Sequence, residues 1–247
     1  MLRCEGLRRS FGGLLALSDV TFRFSDPGIV AIIGPNGAGK TTLFNVISGF
    51  IRADAGRCFV RGQETTDLSP HTIATLGIGR TFQDLRLISR ISALENVLLA
   101  RPRQRGEQLL LALLGFRIQA EERNNLAVAR HWLEYVGLER KAGELALNLS
   151  YGQQKLLTLA CCLATEASIL LLDEPLAGVH PQIAETILSL FKDLARNGKL
   201  ILFIEHDLRA VTRVAETAVL MDRGKIVAQG AAADLIGRPE IMEAYVG

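Results

Sequence analysis

The chain has 247 residues, 49% of them apolar and 22% charged, with a formal net charge of +2. That length suffices for one large α/β domain or two small ones around a substantial core, and the composition is that of an ordinary globular protein. A near-neutral balance removes the electrostatic case for nucleic acid, so any partner has to be argued from motifs.

Residues 2–7 and 20–24 read as strands, the second (Val-Thr-Phe-Arg-Phe) alternating apolar and polar. The segment joining them holds Phe11 beside Gly12 and Gly13; it is either a stacking platform for a nucleotide base or a buried hairpin aromatic. Residues 29–33 (Ile-Val-Ala-Ile-Ile) are a short apolar β-branched run, and Leu43, Val46, Ile47 and Phe50 recur at helical spacing. Between them stands Gly34-Pro35-Asn36-Gly37-Ala38-Gly39-Lys40-Thr41-Thr42. Strand, glycine-rich turn and helix in that order make a phosphate cradle. Consecutive backbone N–H groups converge there at a helix N-terminus, whose dipole also favours negative charge. In such a cradle Lys40 reaches the β- and γ-phosphates and the Thr41 hydroxyl is placed to ligate Mg²⁺.

Residues 58–61 read as another short strand, and Ser69 caps a helix that Pro70 opens. Residues 77–83 (Gly-Ile-Gly-Arg-Thr-Phe-Gln) read as a strand leaving the phosphate-binding core, with Gln83 at its exit either contacting a metal or a water or simply solvated. From residue 92 to about residue 164 the pattern turns helical, with Leu94, Val97 and Leu98 on one face and Leu126, Ala129, Leu133 and Val136 on another. We read this stretch as a helical insertion within an α/β domain. Inside it, Arg101-Pro102-Arg103-Gln104-Arg105 precedes the apolar residues 109–114, which gives either a surface patch or a solvated loop before a short buried helix. In Leu149-Ser150-Tyr151-Gly152-Gln153-Gln154-Lys155, Ser150 and Gly152 fall at the start of a helix carried by Leu156, Ala160, Leu163 and Ala164. That start is either a second anion site or an ordinary serine cap.

Residues 169–172 (Ile-Leu-Leu-Leu) run into Asp173-Glu174-Pro175, the pattern of a central parallel strand buried on both faces with two carboxylates at its carboxyl end. There Asp173 would hold Mg²⁺ and Glu174 would polarise an attacking water as general base. Pro181 opens a helix with Ile183, Ile187, Leu190 and Leu194 as its stripe, stopped at Asn197-Gly198. Residues 200–204 form a further buried strand ending in Glu205-His206-Asp207. His206 thus ends a strand parallel to that of Asp173, which favours a functional over a structural histidine. Residues 219–221 and 225–228 make a closing hairpin over Asp222-Arg223-Gly224, and a short helix begins near Ala231.

Cys4, Cys58, Cys161 and Cys162 form no CxxC pair and have no histidine cluster at metal-ligand spacing, which points to a reducing compartment and not to zinc or disulfides. Arg3, Glu5, Arg8 and Arg9 interrupt any apolar leader, and no apolar run approaches the roughly 20 residues that span a bilayer. The expected place is the cytosol, unless another component holds the chain at a membrane.

Across essentially its full length the chain resembles the ABC family of ATPases. The cradle, Gln83, residues 149–155, the Asp173-Glu174 strand, residues 177–181 and His206 occur in that family's order. The Leu-Ser-x-Gly-Gln pattern carries the resemblance, since kinases and GTPases share the cradle. It implies a P-loop NTPase (RecA-like) α/β core of ABC type with an antiparallel β subdomain and an inserted α-helical subdomain. These would form one nucleotide-binding domain over residues 1–247, the core at about 1–84 and 166–247 and the helical part at about 85–165. It also implies ATP and Mg²⁺ as ligands, and a head-to-tail dimer with two ATP molecules sandwiched at the interface. By that likeness Phe11 stacks on adenine, Gln83 senses Mg²⁺ and the water, and His206 contacts the γ-phosphate. Ser150 and Gly152 close onto the γ-phosphate held by the other subunit, with Gln153 in the same nucleotide-binding segment. Departures from the commonest pattern are Tyr151 for Gly, Lys155 for Arg, Phe11 for Tyr and His180 for Asp, and none removes a phosphate or metal contact.

Within the family, residues 11–14, 79–83, 177–181, the basic insertion near 101–125 and the terminal Glu243-Ala244-Tyr245-Val246-Gly247 look like the branched-chain amino acid importers, a group that includes urea and short-amide systems. This implies an ATP-hydrolysing subunit, peripheral on the cytoplasmic face of the inner membrane and docked on separate permease subunits. Its other partners would be a second ATPase copy or related chain and a periplasmic solute-binding protein, with no nucleic acid. The alternatives are an exporter subunit for lipid or polysaccharide, and a soluble ABC ATPase of DNA repair or translation. The last usually carries coiled coils or tandem ATPase units that this sequence lacks.

Overall fold

β1 (Leu2–Phe11) and β2 (Leu14–Phe24) form an antiparallel hairpin around Gly12-Gly13, with Phe11 opposite Leu14. β3 (Gly28–Ile33) leads into α1 (Lys40–Ile47), followed by β4 (Ala55–Val60), β5 (Gln63–Glu64), α2 (Pro70–Thr75) and β6 (Ile78–Arg80). Helices α3 (Ala93–Leu99), α4 (Phe116–Tyr135) and α5 (Tyr151–Ala164) come next. Strand and helix then alternate through β7 (Ile169–Asp173), α6 (Pro181–Arg196), β8 (Leu200–Ile204), α7 (Leu208–Val214), β9 (Thr217–Asp222), β10 (Lys225–Ala231) and α8 (Ala232–Ile236). In this computed structural model the described residues are 1–83, 85–102 and 116–238, without the side chains of 116–120. The basic residues 103–105, the apolar run 109–114 and the terminal residues 243–247 singled out in the sequence lie outside them.

Two sheets result. A four-stranded antiparallel sheet has the order β2-β1-β4-β5, and a six-stranded sheet has the order β10-β9-β3-β8-β7-β6. In the second, β3 runs parallel to both β8 and β9, and β7 parallel to both β6 and β8; β10 alone is antiparallel to its neighbour. Because side chains alternate across a strand, the central strands feed two cores at once. Ile29, Ala31 and Ile33 of β3, Leu170 and Leu172 of β7, and Ile201 and Phe203 of β8 pack with the apolar faces of α3 to α8. Val30, Ile32, Ile169, Leu171, Leu200, Leu202 and Ile204 point the other way, onto α1 and the antiparallel sheet. Continuous apolar runs are thus what a strand buried on both faces requires. The carboxyl ends of β3, β8 and β7 open side by side, the usual place for a ligand crevice in such sheets.

Helix ends follow their capping residues. Ser69 accepts from Thr72 N–H ahead of Pro70, and Ser92 and Glu95 form a reciprocal capping box at α3. The hairpin strands β1 and β2 and the closing strands β9 and β10 run longer than the sequence reading, and three further details differ from it. The strand read over 77–83 is only Ile78–Arg80: Thr81 still donates to Leu171 O, but its hydroxyl then accepts the Asp173 N–H, and beyond it the chain leaves the sheet. β4 starts at Ala55 instead of residue 58, because its pairing with β1 reaches back to Arg8. Leu126, read as a core position of α4, is 37% exposed; the inward side chain at that turn is Asn125, which accepts from Arg101 Nε. Among the described residues no helix is long and apolar enough to cross a membrane.

Candidate nucleotide site

The turn between β3 and α1 places a cation under a ring of backbone groups. Lys40 opens α1, is buried, and its Nζ donates to Gly34 O at 2.6 Å and Pro35 O at 2.9 Å. An ammonium carries three donors, so one remains for an acceptor in front of the turn. Burial lowers the Lys40 pKa, and the nearby Glu174 and Asp173 oppose that shift. Ser69, Ser92, Ser150, His180 and Asp207 cap α2, α3, α5, α6 and α7 with a side chain, whereas α1 starts at Gly39 with none. Ala231 at the start of the short α8 has no side-chain cap either, but of the two only the start of α1 lines a cleft, where its free donors can meet an acceptor from elsewhere.

The carboxylates come from the end of β7. Asp173 is 2% exposed, and burial pushes its carboxyl above the ordinary range against the pull of Arg80. Glu174 follows in a left-handed backbone conformation, with φ 46, and its Oε1 lies 3.1 Å from His206 Nε2. His206 comes from the end of β8, the strand between β7 and β3, so strand order alone brings the histidine, the carboxylates and the glycine turn together. Beneath them Glu205 accepts from Leu176 N–H at 2.7 Å and from His206 N–H at 3.3 Å; burial pushes its carboxyl up to about 7.

Phe11, residues 36–42, Gln83, Glu174 and His206 line one cleft of about 750 Å³, with Gly34 and Asp173 buried behind it. Phe11 is 41% exposed with the Arg9 guanidinium 4.7 Å from its ring centre, so the buried-aromatic reading does not hold. Leu14, Leu15, Ala16 and Arg223 share the wall, and sequence reasoning missed all four. The exposed pair Leu14-Leu15 beside the double glycine was the signal available for two of them. Ser150, Gly152 and Gln153 do not line this cleft. In this chain they form a capping box at α5: Gln153 N–H donates to Ser150 Oγ at 3.4 Å, and Ser150 N–H donates to Gln153 Oε1 at 3.0 Å. The hydroxyl accepts in that contact, which leaves its O–H to donate outward from an exposed position.

The cleft can hold a polyanion by its phosphates, shield a flat apolar group at Phe11 and present a carboxylate–imidazole pair to a water. Comparison with known proteins agrees. Residues 17–177 match the family described as ABC transporter. The high-affinity branched-chain amino acid transport ATP-binding protein BraF of Pseudomonas aeruginosa is 38% identical over 100% of this chain and 98% of its own length. LivG of Escherichia coli, with the same description, is 37% identical over 100% and 98%. A nucleotide-free ATP-binding cassette from an ABC transporter superposes with a TM-score of 0.87 at 33% identity, over 100% of this chain and 99% of that one. A dimeric cassette bound to ADP and Pi in a post-hydrolysis state matches at 0.78 and 26% identity, over 94% and 99%. The chain belongs to the ABC transporter family.

Proposed function

We propose that this chain is the ATP-binding and ATP-hydrolysing subunit of an importer for branched-chain amino acids or a related small solute such as urea or short amides. The observation that carries the reading is the single cleft in which the glycine turn, Gln83, Glu174 and His206 meet. The names of the relatives from Pseudomonas aeruginosa and Escherichia coli support the solute class.

Lys40 and the N–H groups of residues 36–41 hold the β- and γ-phosphates, and Phe11 stacks on the adenine. Thr41, Gln83 and Asp173 would hold Mg²⁺, which neutralises phosphate oxygens when bound; a hydroxyl, an amide and a carboxylate are the hard oxygen donors that ion takes. Glu174 takes the proton of the attacking water on its carboxylate, and His206 orients that carboxylate through its Nε2 while facing the γ-phosphate. Ser150, Gly152 and Gln153, outside this chain's cleft, complete the site of a second copy or related chain in a head-to-tail dimer. The dimeric ADP-bound cassette supports that assembly. ATP then holds two half-sites together and hydrolysis releases them.

The core comprises about residues 1–84 and 166–247, and the helices between them form a subdomain that receives the membrane partner. A groove lined by Phe82, Arg86, Leu87, Leu99 and Cys161 lies next to Gln83 and suits a short helix of a permease. The chain works on the cytoplasmic face of the inner membrane, in a system with a periplasmic solute-binding protein and no nucleic acid. Glu174→Gln tests the chemistry: it keeps ATP binding, loses most turnover and accumulates a dimer. Turnover within a few-fold of the parent would remove Glu174 from its role. Solubilised membranes test the setting: the chain is recovered with integral subunits, and recovery only with ribosomes or DNA would contradict it.

A further inference from the structure

Two charged side chains lie deep beside the cleft and have no part in the chemistry above. Glu205 is 4% exposed and Lys155 is 7% exposed. A buried charge is costly unless hydrogen-bonded, so its partners show what it is there to hold. Among the described residues neither makes a side-chain ion pair; each is directed at the backbone of one turn. Glu205 Oε1 accepts the Leu176 N–H at 2.7 Å, and Lys155 Nζ donates to the Glu174 carbonyl oxygen at 3.0 Å.

That turn needs holding. Glu174 has φ 46, a left-handed conformation uncommon for a residue other than glycine and one that carries backbone strain. Pro175 follows and contributes no N–H, so Leu176 offers the first donor after Glu174 by which the turn can be fixed. The same Glu205 carboxylate accepts the His206 N–H at 3.3 Å, and His206 Nε2 lies 3.1 Å from Glu174 Oε1. One buried carboxylate thus ties together the two strand ends that carry the carboxylate and the imidazole.

We propose that Glu205 and Lys155 are positioning residues that fix the aim of Glu174, the first by accepting Leu176 N–H and the second by donating to the Glu174 carbonyl. The inference rests on Glu174 being the base. A carboxylate displaced by even a fraction of an ångström still leaves the phosphate cradle intact, so the loss falls on turnover and not on nucleotide affinity.

The test is steady-state ATP hydrolysis by the full chain in its transporter, with kcat and KM for MgATP read separately. Glu205→Gln keeps an acceptor oxygen and stays within about threefold of the parent kcat, while Glu205→Ala lowers kcat by about tenfold or more with KM within about threefold. Lys155→Met behaves like Glu205→Ala, and Lys155→Arg restores most of the loss. If Glu205→Ala fails to fold, Glu205→Asp takes its place. It keeps the carboxyl group but falls short of Leu176 by one methylene, so its kcat falls by about fivefold or more. Parental kcat in Glu205→Ala or Glu205→Asp, an equal loss in Glu205→Gln and Glu205→Ala, or a change confined to KM would overturn the proposal. Glu174→Gln measured in parallel separates the two levels. If it still turns over, the base assignment fails whatever the Glu205 variants do; if it is inactive while Glu205→Ala is unaffected, the positioning role alone fails.

Discussion

Exchanging Gly39 for alanine perturbs the cradle at a point where the cost can be worked out and a neighbouring position supplies the control. Gly39 has φ 98, and a methyl carbon there would sit well inside contact distance of the Ala16 carbonyl oxygen, 3.3 Å from Leu17 Cδ2 and 3.5 Å from Gly224 Cα. Gly37 has φ 80, but a methyl carbon there meets nothing within 4 Å. Both substitutions force an L-residue into a left-handed conformation, which costs about 1–2 kcal/mol. Gly39→Ala also overpacks against the backbone of β2, which cannot rotate away as a side chain would; that adds about 1–3 kcal/mol. The expected losses are about 1–2 kcal/mol for Gly37→Ala and about 2–5 kcal/mol for Gly39→Ala. Equilibrium denaturation of the nucleotide-free chain reads both, and a separation of about 1 kcal/mol corresponds to about 2–4 °C in Tm for a domain of this size. Equal unfolding free energies would refute the claim that the turn's hold on β2 sets the requirement for glycine at position 39.

Lys40→Ala removes a buried ammonium whose remaining donor faces the cleft, so ATP affinity in a binding titration falls by about 10- to 100-fold, as the loss of a charge-assisted hydrogen bond predicts; unchanged affinity would contradict the cradle. Phe203→Ala empties the centre of the larger core, where the ring lies 5.6 Å from that of Phe191, and lowers unfolding free energy by about 3–5 kcal/mol, read from the urea midpoint. Glu205 makes stability depend on pH. Burial raises its folded pKa from 4.5 to about 7, so the folded state binds this proton more tightly. The stability it contributes is complete below the unfolded value and is lost as pH rises towards 7, about 3 kcal/mol at about 1.36 kcal/mol per unit. Glu205→Gln does not titrate, so its stability relative to the parent chain increases from pH 5 to pH 8; a difference constant with pH would contradict this.

The sequence exposed those parts of the site that are contiguous. The run from β3 through Gly34 to α1 is strand, turn and helix in a single stretch, and the apolar residues 169–172 announce their own burial and put Asp173 and Glu174 at a strand end. Ser150 likewise announces its cap. Features set by pairing between distant segments were hidden. Arg223 reaches the cleft because β9 lies beside β3, and Leu14 to Ala16 reach it because β1 and β2 fold over the turn. Glu205 directly follows an apolar run and so resembles a solvated strand exit; its burial depends on the turn after β7 folding across it. Leu126 has the right spacing for a core position, yet the buried Arg101 draws Asn125 inward instead. The strand expected over 77–83 stops early because Thr81 uses its hydroxyl on Asp173 N–H.

The most direct measurement is a crystal structure of the Glu174→Gln chain with MgATP. Two copies arranged head to tail are expected, each triphosphate lying between the 34–42 turn of one copy and the Ser150 end of α5 in the other. An ATP-bound structure in which Ser150 faces away from every triphosphate, in every assembly of the crystal, would contradict that arrangement.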